Sequence, residues 1–203
     1  MPITIDGTGT ITGATTLAST VASPTFTTPA LGTPASGDLT NCTNKVISGT
    51  AQASTSGTSI DFTGIPSGVK RVTVMFVGVS MSATSDLMIQ LGDSGGIETS
   101  SYSSTGANLA PTPSYVNATS GFLFSGGGWG ASTTVSGTVI LNLEDASGFT
   151  WTSISVLART DNPDLALGAG SKSLSAVLDR LRITTLVGTA TFDAGAINIQ
   201  YES

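Results

Sequence analysis

Residues 178–201 read LDRLRITTLVGTATFDAGAINIQY, and this stretch decides the fold. In its first half apolar residues alternate with arginine and threonine, and in its second half isoleucine alternates with asparagine and glutamine. Two-residue alternation is typical of a β-strand with one buried and one solvated face. Gly188 and the run Asp193-Ala194-Gly195 are turn-forming residues. We therefore expect a hairpin of two strands, against which the rest of the chain packs its sheets.

Apolar segments of strand length recur from Val46 onward, separated by turn residues. The most apolar segment is residues 69–81, VKRVTVMFVGVSM, which as a strand has apolar side chains on both faces. A strand of this kind is buried on both faces. We expect one face to lie in the core and the other to lie against another subunit or against the N-terminal residues.

The remaining segments complete the predicted fold class. Residues 99–131 are poor in aliphatic side chains, which predicts long loops around a short strand at 122–124. Before Leu181, three further apolar residues also fit helical spacing, so a helix is the alternative there. About eight strands, with a turn every ten residues or so, predict an all-β chain that forms an antiparallel, jelly-roll-like β-sandwich.

Residues 1–44 differ from residues 45–203, which we expect to form the β-sandwich head domain. They contain no lysine or arginine and too few apolar side chains for a core, so we expect an extended N-terminal arm that packs on a neighbouring surface. Prolines at a spacing of five favour extended backbone, and a loose linker is the alternative. An ordered arm predicts four contacts that anchor the chain or hold a homotrimer together: Ile3, Ile5, Phe26 and Leu31.

Composition excludes several partners. The net charge is −6 and the seven basic residues are scattered, whereas nucleic-acid binding requires clustered lysine and arginine. No apolar run reaches the ~18 residues of a membrane span, and the first residues lack the features of a signal peptide. We therefore expect no nucleic-acid or membrane partner, and synthesis in a cytoplasm. Cys42 is the single cysteine and is expected to pack as a small apolar side chain, with interchain pairing as the alternative.

The residues of most catalytic and metal sites are missing. The chain has no histidine and one cysteine, which excludes Ser-His-Asp triads, histidine-ligated metals and thiolate zinc sites. The carboxylates of Glu144 and Asp145 would point to opposite faces of a strand or lie in a turn, so they do not converge on a glycan. The run GAGSKS at 168–173 lacks the glycine before lysine that a phosphate-binding loop requires. We expect no enzyme activity, no cofactor and no metal.

The best candidates for binding are aromatic residues in the loop-rich region. Trp129 follows three glycines, and Tyr102 and Tyr115 lie in the same region. Aromatic rings stack on the C–H faces of sugars and bury a large area at low entropic cost, and binding residues concentrate in loops. These three residues are therefore predicted to bind a receptor, with packing of Trp129 over the end of the core as an equal alternative.

Several motifs also carry a family resemblance. DRLRITT at 179–185 and GTATFDAGAINIQYE at 188–202 resemble the C-terminal signature of a β-sandwich domain in phage tail-fibre and virion-surface proteins. The similarity extends upstream through 46–54, 60–80 and 89–102, and SPTFTTPALGTPASGDLTNCTN at 23–44 is similar to a linker that recurs in such fibres.

The resemblance implies a bacteriophage virion structural protein with an N-terminal Pro/Thr-rich arm. Its expected role is that of a tail fibre or spike that projects from the particle and binds a glycan of the host surface. The alternative is a capsid decoration, cement or head-fibre protein that the arm anchors to the shell. Other virion proteins are the implied partners, and the implied location is the virion surface.

Overall fold

A computed structural model describes residues 45–160 and 164–203. These residues form fourteen β-strands and no helix, which confirms an all-β chain and makes the helical alternative before Leu181 wrong. The described residues therefore hold no helix that could cross a membrane. The predicted arm contacts lie outside the described residues, as does the cysteine: Ile3, Ile5, Phe26, Leu31 and Cys42.

Most strands are short, and five are nine residues or longer. In chain order they are β1 (Val46–Ser48), β2 (Gln52–Ala53), β3 (Ser59–Thr63), β4 (Arg71–Met81), β5 (Leu87–Asp93), β6 (Gly96–Ile97), β7 (Ser103–Leu109), β8 (Ser114–Ala118), β9 (Phe122–Leu123), β10 (Val135–Asp145), β11 (Thr150–Arg159), β12 (Leu165–Ser173), β13 (Arg180–Thr185) and β14 (Phe192–Glu202).

The strands form two sheets, and every pairing between strands is antiparallel. The larger sheet has nine strands in the order β1-β14-β4-β10-β11-β12-β7-β8, with β2 also paired to β14. The smaller sheet has five, in the order β3-β13-β5-β6, with β9 also paired to β5. The sheets pack together around a large apolar core, with a small second cluster of Met88, Ala118 and Leu123, so the predicted antiparallel, sandwich-like arrangement is confirmed.

Alternate side chains of the long strands build the core. Val72 and Val74 of β4 and Leu141 of β10 point inward from the larger sheet, and Leu181 and Ile183 of β13 point inward from the smaller one. All five are 0% exposed. Burial of an aliphatic side chain of this size contributes about 1.5–3 kcal/mol to the free energy of unfolding. The side chains that the alternation places inward are therefore the main source of stability.

The predicted C-terminal hairpin is wrong, although both of its strands exist. β13 belongs to the smaller sheet and β14 to the larger one, so the two strands lie on opposite sides of the core. The run Asp193-Ala194-Gly195 is not a turn but an irregular part of β14, where the register with β4 shifts twice. Gly195 has a φ of +93°, and a Cβ there would lie 2.5 Å from the backbone of Gly78, so a larger residue would not fit.

The region 99–131 also differs from the prediction, because it contains the hairpin β7–β8 as well as the expected short strand β9. β7 is poor in aliphatic residues because it covers backbone rather than side chains. The hydroxyl of Ser104 accepts a hydrogen bond from Leu123 N at 2.8 Å, and a Cβ at Gly106 would overlap the carbonyl of Ser125. Small inward residues are therefore required here.

The sandwich has two distinct ends. At the basal end Val46, Glu202 and Arg71 lie in register on adjacent strands β1, β14 and β4, and the β10–β11 turn lies on the same side. At the distal end Val135 of β10 is paired with Arg159 of β11. The chain segments β3–β4, β10–β11 and β12–β13 all connect strands at the basal end.

Candidate interaction surface

The outer faces of the two sheets differ in charge. On the smaller sheet the guanidinium of Arg182 donates two hydrogen bonds to the carboxylate of Asp61, both at 2.7 Å. Arg180 donates to the carboxylate of its neighbour Asp179 at 2.6 and 3.0 Å. These groups are partly solvated, and exposed pairs of this kind belong to a surface that faces water.

The outer face of the larger sheet has no charged residue in its central rows, which mix apolar and uncharged polar side chains. Strand register places six residues from six neighbouring strands in one row across it: Met75, Thr138, Val156, Leu167, Ala107 and Tyr115. Parallel rows on either side add Val77, Ile140, Ile154, Leu165 and Leu109. We call these residues together the apolar face.

Several side chains of the apolar face are exposed to solvent in the single chain. Val77 is 66% exposed, Ile154 55% and Val156 49%. Five exposed aliphatic side chains of the apolar face, without Tyr115 at its rim, present on the order of 450 Å² in total, in the range of the largest apolar patch on a typical monomer. Patches of this size are often functional, so the apolar face is the candidate interaction surface of the described residues.

The apolar face results from the two-sided pattern of residues 69–81. Val72 and Val74 point into the core, whereas Met75 is half-buried and Val77 exposed on the outer face. Gly78 has a φ of +61°, and the register between β4 and its neighbours shifts beside it, which turns the next residue inward. The second apolar side of β4 is therefore the one expected to meet another subunit.

Charged groups border the apolar face but do not enter its central rows. At the basal end Arg71 and Glu202 form an ion pair at 2.5 Å, with side chains 48% and 33% exposed. In the three rows that cross the sheet beyond this pair, the outward positions from β14 to β8 hold only uncharged residues. A second uncharged surface can therefore approach without desolvating a charge.

The predicted receptor residues do not form one site, because two of the three are in the core. Trp129 is 1% exposed. Its backbone exchanges two hydrogen bonds with Ser85, at 2.9 and 3.1 Å, and its indole nitrogen has no hydrogen-bond partner among residues 45–160 and 164–203. The core alternative for Trp129 is what the structure shows, and the ring has no face open for stacking on a sugar.

Tyr102 is also internal, at 3% exposure. Its hydroxyl accepts a hydrogen bond from Leu91 N at 2.7 Å and donates one to the carbonyl of Glu98 at 3.0 Å, and its ring contacts Phe122 edge-on at 5.1 Å. Burial raises the pKa of the Tyr102 hydroxyl. Tyr115 alone is open, at 76% exposure, and it lies on the apolar face in edge strand β8.

Asp145 and the GAGSKS run have structural roles. Asp145 is the last residue of β10. Its carboxylate accepts hydrogen bonds from Ser147 and Gly148, which lower the pKa of the carboxyl group. Asp145 therefore helps to form a turn, which is one of the two arrangements that the sequence allowed. GAGSKS lies within β12, where Lys172 is buried. Within 45–160 and 164–203 no three of the acidic, histidine or cysteine side chains are grouped as metal ligands.

Comparison with known proteins assigns neither a family nor a function to the chain. No protein-family model, no curated protein and no solved structure matches the chain. The sequence of β11 also indicates the apolar face. Ile154 and Val156 alternate out of phase with the buried Trp151 and Leu157, so β11, like β4, is apolar on both sides.

Proposed function

We propose that this chain is a structural protein of a bacteriophage virion surface, whose copies associate as a homotrimer through the apolar face. The observation that carries the proposal is the uncharged, solvent-exposed patch across six strands of the larger sheet. The family resemblance of the motifs at 179–185 and 188–202 supplies the virion context. The proposal includes the jelly-roll-like strand arrangement that the spacing of strands and turns in the sequence predicts.

The magnitude of burial supports association between copies. Covering the five exposed aliphatic side chains removes on the order of 450 Å² of apolar surface per copy from water, which favours association. This gain acts against the lost translational, rotational and side-chain freedom of the associating chains. A partner of the same composition also brings no charge that would have to be desolvated, which favours a second copy over a charged protein.

The leading role is that of a tail fibre or spike that projects from the particle and binds a glycan on the host surface, without enzymatic cleavage. Tyr115 supports this role, because edge strand β8 lies at the rim of the apolar face and its ring is 76% exposed. Three copies would present three such rings, and avidity multiplies the strength of weak single sites. The alternative is a capsid decoration or head-fibre protein that residues 1–44 anchor to the shell.

Labelling of phage particles with gold-conjugated antibody against the purified chain tests this function. We expect label on the tail for the fibre role, whereas label distributed over the capsid would replace it by the decoration role. Particles that carry no label would contradict both. Incubation of the purified chain with host lipopolysaccharide or capsule should release no reducing ends, and a release abolished by Glu144→Gln would overturn the non-enzymatic assignment.

A further inference from the structure

A polar groove runs along β13 on the outer face of the smaller sheet, on the opposite side of the core from the apolar face. Arg180, Arg182 and Thr184 form its floor. They alternate with Leu181 and Ile183, which point into the core. Two hollows of about 300 and 370 Å³ open along this floor and share Arg182. Volumes from about 300 Å³ upward are typical of sites that hold small ligands.

The first hollow, toward the distal end, is lined by polar side chains that are themselves nearly buried. Gln90 of β5 is 8% exposed, and its Nε2 donates a hydrogen bond to the carbonyl of Ser120 at 3.0 Å. Thr184 is 9% exposed, and its hydroxyl donates to the carbonyl of Thr58 at 2.9 Å. Each side chain is held in one orientation and has an oxygen that can accept a hydrogen bond from a ligand. Groups held in this way lose little freedom when a ligand binds.

Arg182 supplies hydrogen-bond donors between the two hollows. Strand register places it directly between Asp61 of β3 and Gln90 of β5. Its Nε and Nη2 donate to the carboxylate of Asp61, which uses two of the five N–H groups of a guanidinium. Acceptor, donor and acceptor groups therefore follow one another across the groove. Because a hydroxyl both donates and accepts, this order fits adjacent hydroxyls of a sugar ring.

Backbone contacts hold the walls of the first hollow in place. On one side the loop after β8 lies directly on β5, since a Cβ at Gly121 would lie 2.9 Å from the carbonyl of Ile89. At the distal end the β13–β14 turn is held by a hydrogen bond from Leu186 N to the carbonyl of Asp86 at 2.8 Å. This turn presents Val187, which is 57% exposed, to the hollow. Its aliphatic side chain can contact the C–H groups of a sugar.

Charge and backbone pairing indicate the class of ligand. Arg182 is paired with Asp61, and Arg180 is paired in the same way with Asp179. These pairs carry no net charge, so an acidic ligand would have to compete with a carboxylate already in place. The backbone of β13 is paired on both sides, so a peptide cannot add to it as a further strand. A neutral ligand rich in hydroxyl groups satisfies both conditions.

We propose that this groove binds a neutral oligosaccharide, with Gln90, Arg182 and Thr184 as its main contacts. The inference rests on the proposed glycan-binding role and gives that role a site distinct from Tyr115, which lies on the larger sheet. Association through the apolar face leaves the smaller sheet open. Three grooves of a trimer therefore face outward and act together on a glycan-covered surface.

Binding of the purified full-length chain to an array of neutral and acidic bacterial oligosaccharides tests the site. We expect binding to at least one neutral oligosaccharide. Gln90→Met keeps the size of the side chain and should weaken this binding about tenfold or more. Gln200→Met is the matched control, because Gln200 lies on the larger sheet and also donates one hydrogen bond, to Ser48 at 3.1 Å. Equal binding by the two variants would overturn the site, and binding confined to acidic oligosaccharides would overturn the neutral class.

Protection of arginine from phenylglyoxal tests the site in the chain without substitutions. The side chain of Arg182 is 36% exposed, and that of Arg71, on the larger sheet, is 48% exposed. A saturating amount of the neutral oligosaccharide that binds on the array should slow modification of Arg182 about fivefold or more and leave Arg71 unchanged, as measured by mass spectrometry. Equal rates for Arg182 with and without the oligosaccharide would overturn the site.

Tyr115→Ala distinguishes failure of this site from failure of the proposed role. Binding that Tyr115→Ala abolishes and Gln90→Met does not would preserve the glycan-binding role and overturn the groove as its site. A chain without substitutions that binds no oligosaccharide would overturn the glycan-binding role itself together with the groove.

Discussion

Nζ of Lys172 lies 2.5 Å from Oε2 of Glu98, and the lysine side chain is only 3% exposed. The lysine also lies 5.3 Å from the ring centre of Tyr102, and in the next strand Trp151 is its direct neighbour. An inward-facing lysine in a strand is destabilising without a partner. The ion pair with Glu98 therefore offsets the cost of burying Lys172.

Lys172→Met is predicted to destabilise the fold. The methionine keeps the length of the side chain but leaves the Glu98 carboxylate, with a side chain 22% exposed, without its cation. Removal of one partner of a buried ion pair costs about 3–5 kcal/mol. Urea unfolding of the two proteins measures the loss. Arg71→Ala is the matched control, because its pair with Glu202 is exposed and such pairs contribute about 0–1 kcal/mol.

The difference in lost unfolding free energy between Lys172→Met and Arg71→Ala decides this prediction. A loss below about 1 kcal/mol for Lys172→Met, equal to that for Arg71→Ala, would mean that the Lys172–Glu98 pair does not support the core.

Stability is predicted to fall in acid. The hydroxyl of Ser175 donates to Asp93 at 2.5 Å and Gly95 N donates at 2.7 Å, and these hydrogen bonds lower the pKa of Asp93 from 3.8. Burial pushes the pKa of Glu98 upward, but hydrogen bonds from Lys172 and Ser175 outweigh it and lower the pKa from 4.5. Both groups bind fewer protons in the folded state, so their stabilisation is full above these ordinary values and is lost as pH falls through the lowered ones.

Unfolding free energies measured from pH 7 to pH 2 check this sign. We expect a plateau down to about pH 4.5 and a decline below it. Ser175→Ala removes the hydroxyl that donates to Asp93, so it should reduce the decline. A stability that rises as pH falls through this range would contradict the arrangement.

Trp129→Ala is predicted to reduce the stability of the fold, whereas Tyr115→Ala is predicted to reduce adsorption to cells and leave stability nearly unchanged. Loss of the buried Trp129 ring should cost about 3–5 kcal/mol of stability, whereas loss of the exposed Tyr115 ring should change stability by no more than about 0.5 kcal/mol. If Tyr115 contacts a host glycan, its loss should reduce cell adsorption about tenfold, the equivalent of 1–2 kcal/mol. Thermal unfolding and adsorption are measured on both variants. Normal adsorption by Tyr115→Ala would remove this residue from the receptor site.

Strand positions could be predicted from sequence where alternation is strong, but strand partners could not. The isoleucines of β14 and the leucine and isoleucine of β13 show which residues face the core. The same alternation fits a hairpin and fits two strands on opposite sheets, because it specifies a face and not a neighbour. The turn-forming run Asp193-Ala194-Gly195 was misleading, since a bulge within a strand requires the same residues as a turn.

Two other features escaped prediction for different reasons. β7 lacks the aliphatic signal because its inward positions pack on backbone, as Gly106 does against Ser125. The apolar face depends on the register of six strands, and no single segment reveals that Val77, Val156 and Tyr115 share one surface. For Trp129 the sequence favoured an exposed loop and a core position equally, and the structure places the ring inside, where its backbone pairs with Ser85.

Removal of residues 1–44 is predicted to leave the fold intact and to abolish attachment to the virion. The described core draws on residues from β3 to β14, so the truncated chain should unfold cooperatively. If these residues anchor the protein, the truncated chain should not join the virion. Calorimetry and quantification of the chain on purified particles are the measurements. Assembly of the truncated chain onto particles would place the anchor elsewhere.

The number of copies in solution tests the role of the apolar face most directly. We predict that sedimentation velocity of the full-length chain at micromolar concentration gives three copies of 20.2 kDa. Val156→Glu places a charge in the centre of the apolar face and should weaken association by at least ~3 kcal/mol, more than a hundredfold. Thr63→Glu, on the exposed side of the smaller sheet, should leave the trimer intact. A monodisperse monomer for the unmodified chain, or a Val156→Glu trimer, would contradict association through the apolar face.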